Sequence, residues 1–307
     1  MVFLRKGTSR RSLLKLGWLV FLSNPLISLS RLFGFNPSKA QNQIPKIGLN
    51  LYSLNKDLKN YPKETLKKID FIGFAGLETP HTFDGMSADD YSKIIRKSDL
   101  DVIAMHTELP LDKMTKENVL NRVKSFKCKR IIWHGLPEST SYKTEEGIAQ
   151  LANKYNLANS FAKENGLSFG IHNHWWEFEE LSSGKMPFDI LLDLLDEDIF
   201  FELDVYWIAV AGKDPVEIIK RLGKRASILQ VKDGPAEWNP LLDEPFPYPV
   251  LAVGTGNLDY PAIFKAGNGN TQWIIVDIEA CETDLIQALY ESYKYLAISN
   301  NYGSGLK

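Results

Sequence analysis

Between Lys46 and Ile298 the chain alternates eight times between a short, apolar, β-branched run and a longer run with apolar residues three and four apart. That alternation limits the fold more than any other feature, because strands that alternate with helices build a parallel sheet covered by helices. The strand-like runs are Lys46–Tyr52, Gly76–Thr79, Asp101–His106, Lys129–His134, Leu167–Asn173, Ile199–Asp204, Ser227–Lys232 and Trp273–Ile278. Helices are expected near Pro62–Ile69, Ala88–Lys97, Lys116–Phe126, Glu145–Asn165, Phe188–Leu195, Pro215–Leu222, Pro261–Lys265 and Leu285–Ile298. Eight such units in one chain of this length predict an α/β fold, a (β/α)8 TIM barrel, as a single domain over residues 41–307. An open doubly wound sheet is the alternative, weakened because no G-x-G-x-x-G follows the first strand. Gly254-Thr255-Gly256 reads as turn chemistry. The one long irregular connection, Asp233–Tyr260, carries five prolines and is expected to wall or cover the barrel mouth.

Residues 1–40 differ in character from the rest. They hold seven basic residues and no acid, which leaves 29 bases against 38 acids, about −9, for the remainder. A body so charged is a poor partner for phosphate backbones, so no nucleic acid is expected as substrate. Ser9-Arg10-Arg11-Ser12-Leu13-Leu14-Lys15 precedes the mostly apolar Leu16–Leu29, and Ser38-Lys39-Ala40 supplies small residues at −3 and −1 of a cleavage site. That order is the one of a secretory signal, and the S-R-R-x-L-L-K string resembles the twin-arginine export motif. The segment is therefore expected to be an export signal of residues 1–40, and the mature protein periplasmic or otherwise extracytoplasmic. Gly17, Asn24 and Pro25 interrupt the apolar run, so neither a spanning helix nor an integral membrane partner is expected. Cys128 and Cys281 read as core thiols rather than a disulfide.

The ends of the expected strands carry most of the acid–base and metal-ligating side chains, where barrel enzymes place their chemistry. They offer Glu78, His106 and Glu108, His134, His172-Asn173-His174 and Glu177, Glu202 and Asp204, Gln230, Lys232 and Asp233, and Asp277 and Glu279. Four of the five histidines stand at these ends, and the fifth, His81, follows Glu78 closely. Carboxylate and imidazole donors suit divalent ions such as Mn²⁺, Fe²⁺, Co²⁺, Zn²⁺ or Mg²⁺. Such an ion polarises a carbonyl while a flanking base moves the α proton. Trp133, Trp175, Trp176, Tyr206, Trp207 and Trp238 crowd the same loops, as sugar platforms or as core.

The strings Ile47–Ser53, Gly166–Phe178, Phe201–Trp207, Val231-Lys232-Asp233 and Val253–Gly256 resemble the sugar phosphate isomerase/epimerase family. These are the xylose isomerase-like barrels grouped with family-2 apurinic endonucleases. The resemblance spans roughly residues 46–298, with H-N-H-x-x-E-F and E-L-D-x-x-W its most specific strings. It implies one divalent metal held by Glu, Asp, His and Glu from strands five to eight. On this chain the metal ligands it implies are Glu177 (or His172 or His174), Asp204, Gln230, Asp277 and Glu279. Two positions depart from the family pattern: Gln230 stands where histidine is usual and Asp277 where glutamate is usual. Both point to a harder, weaker or absent ion.

The residues then expected to be catalytic are Glu177, Lys232 and His106, with Asp277 or Glu279 as further acid–base groups. His172, His174, Trp176, Trp207, Glu78 and His134 are expected to bind substrate. The activity expected is metal-assisted proton abstraction α to a carbonyl, through an enediolate, in a sugar isomerase or epimerase acting on a free sugar or a keto-glycoside. A lyase or dehydratase using the same intermediate, and a metal-free sugar-binding barrel, are the alternatives. An Asp204→Ala substitution is expected to remove any metal-dependent thermal shift and leave the fold intact.

Overall fold

The structure, a computed structural model, describes residues 44–135, 138–237, 250–279, 281 and 284–303. The signal-like segment 1–40, Trp238 and much of the proline-rich connection lie outside the described residues. Eight parallel strands close in sequence order into a barrel: β1 (Lys46–Asn50), β2 (Leu77–Thr79), β3 (Val102–Thr107), β4 (Arg130–Trp133), β5 (Ser168–His172), β6 (Phe200–Asp204), β7 (Ile228–Val231) and β8 (Trp273–Val276). Closure is by β1 on β8, with Lys46 opposite Trp273 and Leu49 opposite Val276. The expected strands are all present, most of them one or two residues shorter. No helix among the described residues is long and apolar enough to cross a membrane. Neither cysteine is in a disulfide: Cys128 is buried and Cys281 half-buried.

The helices start where local chemistry favours it. Pro62, Pro187 and Pro215 occupy first-turn positions, where no amide hydrogen is needed. Ser87 and Thr144 accept the amides of Asp90 and Gly147 as N-caps of Ala88–Ile95 and Glu145–Glu164. Two short helices go beyond the sequence reading, Asn55–Asn60 and Val205–Val210. The second is apolar on every side and so has no helical period to read; it is buried and capped by Asp204.

The strand interior is layered. Ala104, Ile132, Ile228 and Ile275 form a small apolar cluster of their own, packed by Ile103, Phe200 and Trp273. Strand side chains alternate, so the residue two further on stands one layer higher on the same face. Above Ala104, Ile132, Phe200, Ile228 and Ile275 come His106, His134, Glu202, Gln230 and Asp277. Above Gly48, Gly76 and Gly170 come Asn50, Glu78 and His172. An apolar plug thus floors a ring of polar residues, one from each strand.

The glycines in the plug make room for their neighbours. A Cβ on Gly170 would lie 2.4 Å from the Phe200 ring, and one on Gly48 2.7 Å from Ile275. Gly170→Val is therefore expected to lower stability by about 1–3 kcal/mol through overpacking. Urea unfolding followed by circular dichroism measures this, and an unchanged midpoint would mean that Phe200 swings aside at no cost.

Candidate active site

Two charged groups converge on the polar ring. The deeper one joins β1, β2, β3, β5 and β6. His106 Nε2 lies 2.7 Å from Glu202 Oε2 and 3.6 Å from Glu78 Oε2. His172 Nδ1 lies 3.5 Å from the same Glu202 oxygen, beyond a good hydrogen bond. Asn50 Nδ2 donates to Glu78 Oε2 at 2.8 Å. Burial pushes Glu78 well above the carboxylate range and Glu202 up to about 8, and it lowers His106 and His172. The imidazoles are accordingly neutral near pH 7, with lone pairs to offer. The two carboxyl groups lie close enough to share a proton, yet no donor satisfies Glu78 Oε1, Glu202 Oε1 or His172 Nδ1. One nitrogen from each histidine and one Glu202 oxygen all lie within 4.8 Å of one another, so these three residues could hold a metal ion.

The second group is built on an ammonium. Lys232 Nζ lies 2.6 Å from Asp204 Oδ2, 3.2 Å from Glu279 Oε2 and 3.7 Å from Asp277 Oδ2. Burial alone would push Lys232 down, but the three acids outweigh it and hold the ammonium above its ordinary value. Burial raises Asp204 to about 6 and Asp277 further, with Lys232 pulling both back. Asp204 is fixed on every side: its Oδ1 accepts the amides of Tyr206 and Trp207, and its backbone exchanges two hydrogen bonds with the Asn173 side chain. The Trp207 ring lies beneath the ammonium, 5.2 Å from its centroid.

Aromatic rings surround these groups. His134 stacks on His81 at 4.1 Å, and His81 stacks in turn on Tyr52 at 6.3 Å. Tyr52 is 45% exposed and Glu279 17% in its side chain, so the site opens to solvent on this side. His134 Nε2 also reaches Glu108 Oε1 at 3.2 Å. His174 stacks on Trp176 at 4.2 Å, and Trp175 packs on Trp207 at 5.0 Å. Trp176 and Trp207 are buried, which makes them wall rather than open platform.

The residues expected from sequence are thus distributed in three places. Glu78, His106 and His172 meet in the deeper group. Asp204, Lys232, Asp277 and Glu279 meet around the ammonium, and Gln230, wholly buried, stands beside Asp204 in the strand register. Glu177 is turned to its own loop: its Oε2 accepts the His174 amide at 3.0 Å. Burial pushes that carboxyl up to about 8, against the pull of its hydrogen-bonding neighbours. Three positions outside the expected site set contribute as well. Glu202 is the hub of the deeper group, Asn50 orients Glu78, and Tyr52 borders the opening. Glu202 has a readable signal, since it lies two residues before Asp204 and so on the same face.

The metal set implied for strands five to eight does not fit this geometry. A lysine ammonium already neutralises Asp204, Asp277 and Glu279, Gln230 offers only a neutral oxygen, and Glu177 is turned to the His174 amide in its own loop.

With that geometry in view, the comparisons with known proteins fall into place. A family model described as xylose isomerase-like TIM barrel matches residues 66–296. Among solved structures, a sugar phosphate isomerase/epimerase from Parabacteroides distasonis is 22% identical, with a TM-score of 0.66 over 82% of this chain and 98% of that one. The probable 3-DHS dehydratase AsbF from Bacillus anthracis is 14% identical, with a TM-score of 0.65 over 82% of this chain and 98% of that one. The IOLI protein with a bound zinc atom is 14% identical, with a TM-score of 0.57 over 84% of this chain and 99% of that one. At such identities the likeness is one of fold. No curated protein matches the chain significantly.

Proposed function

The chain belongs to the xylose isomerase-like TIM barrel family, and from that premise we propose that it is a sugar isomerase or epimerase that moves a proton α to a carbonyl. The observation that carries the proposal is the buried Lys232 ammonium, held by three acids of which Glu279 reaches towards solvent. A carbonyl oxygen placed on Lys232 Nζ would accept its N–H. Negative charge then develops on that oxygen beside a fixed cation in a site with little water, where electrostatic stabilisation is strongest.

The acids flanking the lysine supply the proton transfers. Glu279 is the most accessible of the three and serves as the base that takes the hydrogen from the α carbon. The electron pair moves to the carbonyl oxygen and leaves an enediolate on the ammonium. Asp277, raised above its usual range by burial, stands beside the ammonium as the group that returns a proton. Return to the same carbon from the other face inverts it, and return to the former carbonyl carbon, as the neighbouring hydroxyl proton passes to the former carbonyl oxygen, isomerises the sugar. The enediolate can equally expel a β substituent, which is the lyase or dehydratase reading, and a probable dehydratase shares the fold.

Tyr52, at the exposed end of the Tyr52–His81–His134 stack, offers a flat face for a sugar ring. The Lys232 ammonium is already held by Asp204, Asp277 and Glu279 and so is not free to pair with a phosphate, which favours an uncharged sugar or keto-glycoside over a sugar phosphate. That preference agrees with export by the twin-arginine-like segment 1–40, which we propose on the sequence alone.

Incubation of the protein in D₂O with a panel of free aldoses, ketoses and 3-keto-glycosides tests the reading. Deuterium is expected at one carbon next to the carbonyl, seen by NMR. A panel that shows no exchange at any such carbon would sink the proposal.

A further inference from the structure

We propose that this barrel holds a divalent cation between His106, His172 and Glu202, with Glu78 as a fourth ligand, on strands β2, β3, β5 and β6. It lies one layer below Asp204, Lys232 and Glu279, the residues two further along their strands than Glu202, Gln230 and Asp277. The inference deepens the sugar-isomerase reading by giving the same mouth a second, metal-bearing layer, but no step proposed above depends on it.

Four observations support the placement. First, the donor atoms converge. In a tetrahedral site with bonds near 2.1 Å, neighbouring ligand atoms lie roughly 3.4 Å apart. His106 Nε2 and His172 Nδ1 lie 2.7 and 3.5 Å from one Glu202 oxygen, and Glu78 Oε2 is 3.6 Å from His106 Nε2. Second, one converging atom, His172 Nδ1, and the remaining oxygen of each carboxyl, Glu78 Oε1 and Glu202 Oε1, are buried without a hydrogen-bond partner, each on a residue at most 3% exposed. Buried polar atoms left in that state cost free energy, which a cation would recover. Third, two buried carboxyl groups face each other here, and among the described residues neither forms an ion pair with a lysine or arginine, unlike Asp204, Asp277 and Glu279 around Lys232. Fourth, Asn50 holds Glu78 in place by donating to its Oε2, as hydrogen bonds from outside a metal site orient its ligands. Two imidazoles with carboxylates suit Zn²⁺, Co²⁺, Fe²⁺ or Mn²⁺.

The upper cluster supplies the contrast. There Lys232 stands among three carboxylates where an ion could otherwise sit. The chain thus carries its own cation in the upper layer and keeps imidazoles for a metal in the lower one.

The full-length protein, stripped with a chelator, is titrated with Co²⁺ in a calorimeter. One equivalent is expected to bind. His172→Ala and Glu202→Gln are each expected to weaken binding about tenfold or more, and Asp277→Asn to change it little. A second measurement needs no variant: the electron paramagnetic resonance spectrum of the protein with one equivalent of Cu²⁺ should show splitting from two imidazole nitrogens. Failure to bind Co²⁺, a spectrum with oxygen ligands only, or binding lost in Asp277→Asn but kept in His172→Ala and Glu202→Gln overturns the proposal. Deuterium exchange by the stripped protein reports on the functional reading separately, so the two can fail independently.

Discussion

Lys232→Met is expected to abolish turnover and to destabilise the fold together. Removing the ammonium takes away the electrophile proposed to hold the enediolate, a loss of about 10²–10³ in kcat by comparison with other fixed charges at developing oxyanions. It also leaves Asp204, Asp277 and Glu279 packed against one another with no counter-charge. Breaking a buried ion pair from one side costs about 3–5 kcal/mol. The effect has a signed pH dependence. Asp204 already has its folded pKa raised to about 6, with Lys232 pulling it down. Without the lysine that pKa rises further, and Asp277 rises with it. A carboxyl raised in the folded state gives stability that is fully present below its unfolded pKa and lost as pH climbs through the folded value. The deficit of the variant against wild type should therefore be smallest below about pH 6, where Asp204 is protonated in both, and widen above it. Denaturant unfolding at several pH values measures this. A deficit that narrows with rising pH would contradict the charge balance drawn for the cluster.

Asp204→Ala is expected to be nearly as costly, and here the structure alters the expectation drawn from sequence. The sequence reading has this change spare the fold. In the structure the side chain does two jobs at once: Oδ1 caps Val205–Val210 through the amides of Tyr206 and Trp207, and Oδ2 is the nearest partner of Lys232 at 2.6 Å. Losing the cap costs about 1 kcal/mol, and leaving the buried lysine with fewer partners costs about 3 kcal/mol or more. Asp204→Asn keeps an oxygen for the cap and so separates the two effects. It should recover about the capping share and no more. Full recovery by asparagine would show that the charge of Asp204 contributes little.

Much of the site was legible before any coordinates. The ring of polar side chains above the apolar plug follows from alternation alone, because residues two apart in a strand share a face. Ala104 and His106, Ile132 and His134, Phe200 and Glu202, Ile228 and Gln230, and Ile275 and Asp277 repeat one pattern around the barrel. Glu202 follows from the same rule as Asp204, although the more specific E-L-D string draws attention to the aspartate. The short helix Val205–Val210 was not legible as a helix, since six apolar residues in a row have no period. Glu177 shows the opposite limit. Its position in H-N-H-x-x-E-F reads as a ligand, but the chain turns after β5 so that the carboxyl meets the His174 amide three residues back.

The sequence by itself determined the barrel and the polar character of its mouth. Both arise from local periodicity, which strand geometry converts directly into faces and layers. The partnership of those polar residues was decided only by the tertiary structure. Which strands meet across a closed barrel, and how far each is staggered, depends on contacts between residues far apart in the chain. That closure placed Lys232 among the acids of β6 and β8, and it gathered the imidazoles of β3 and β5 around Glu202.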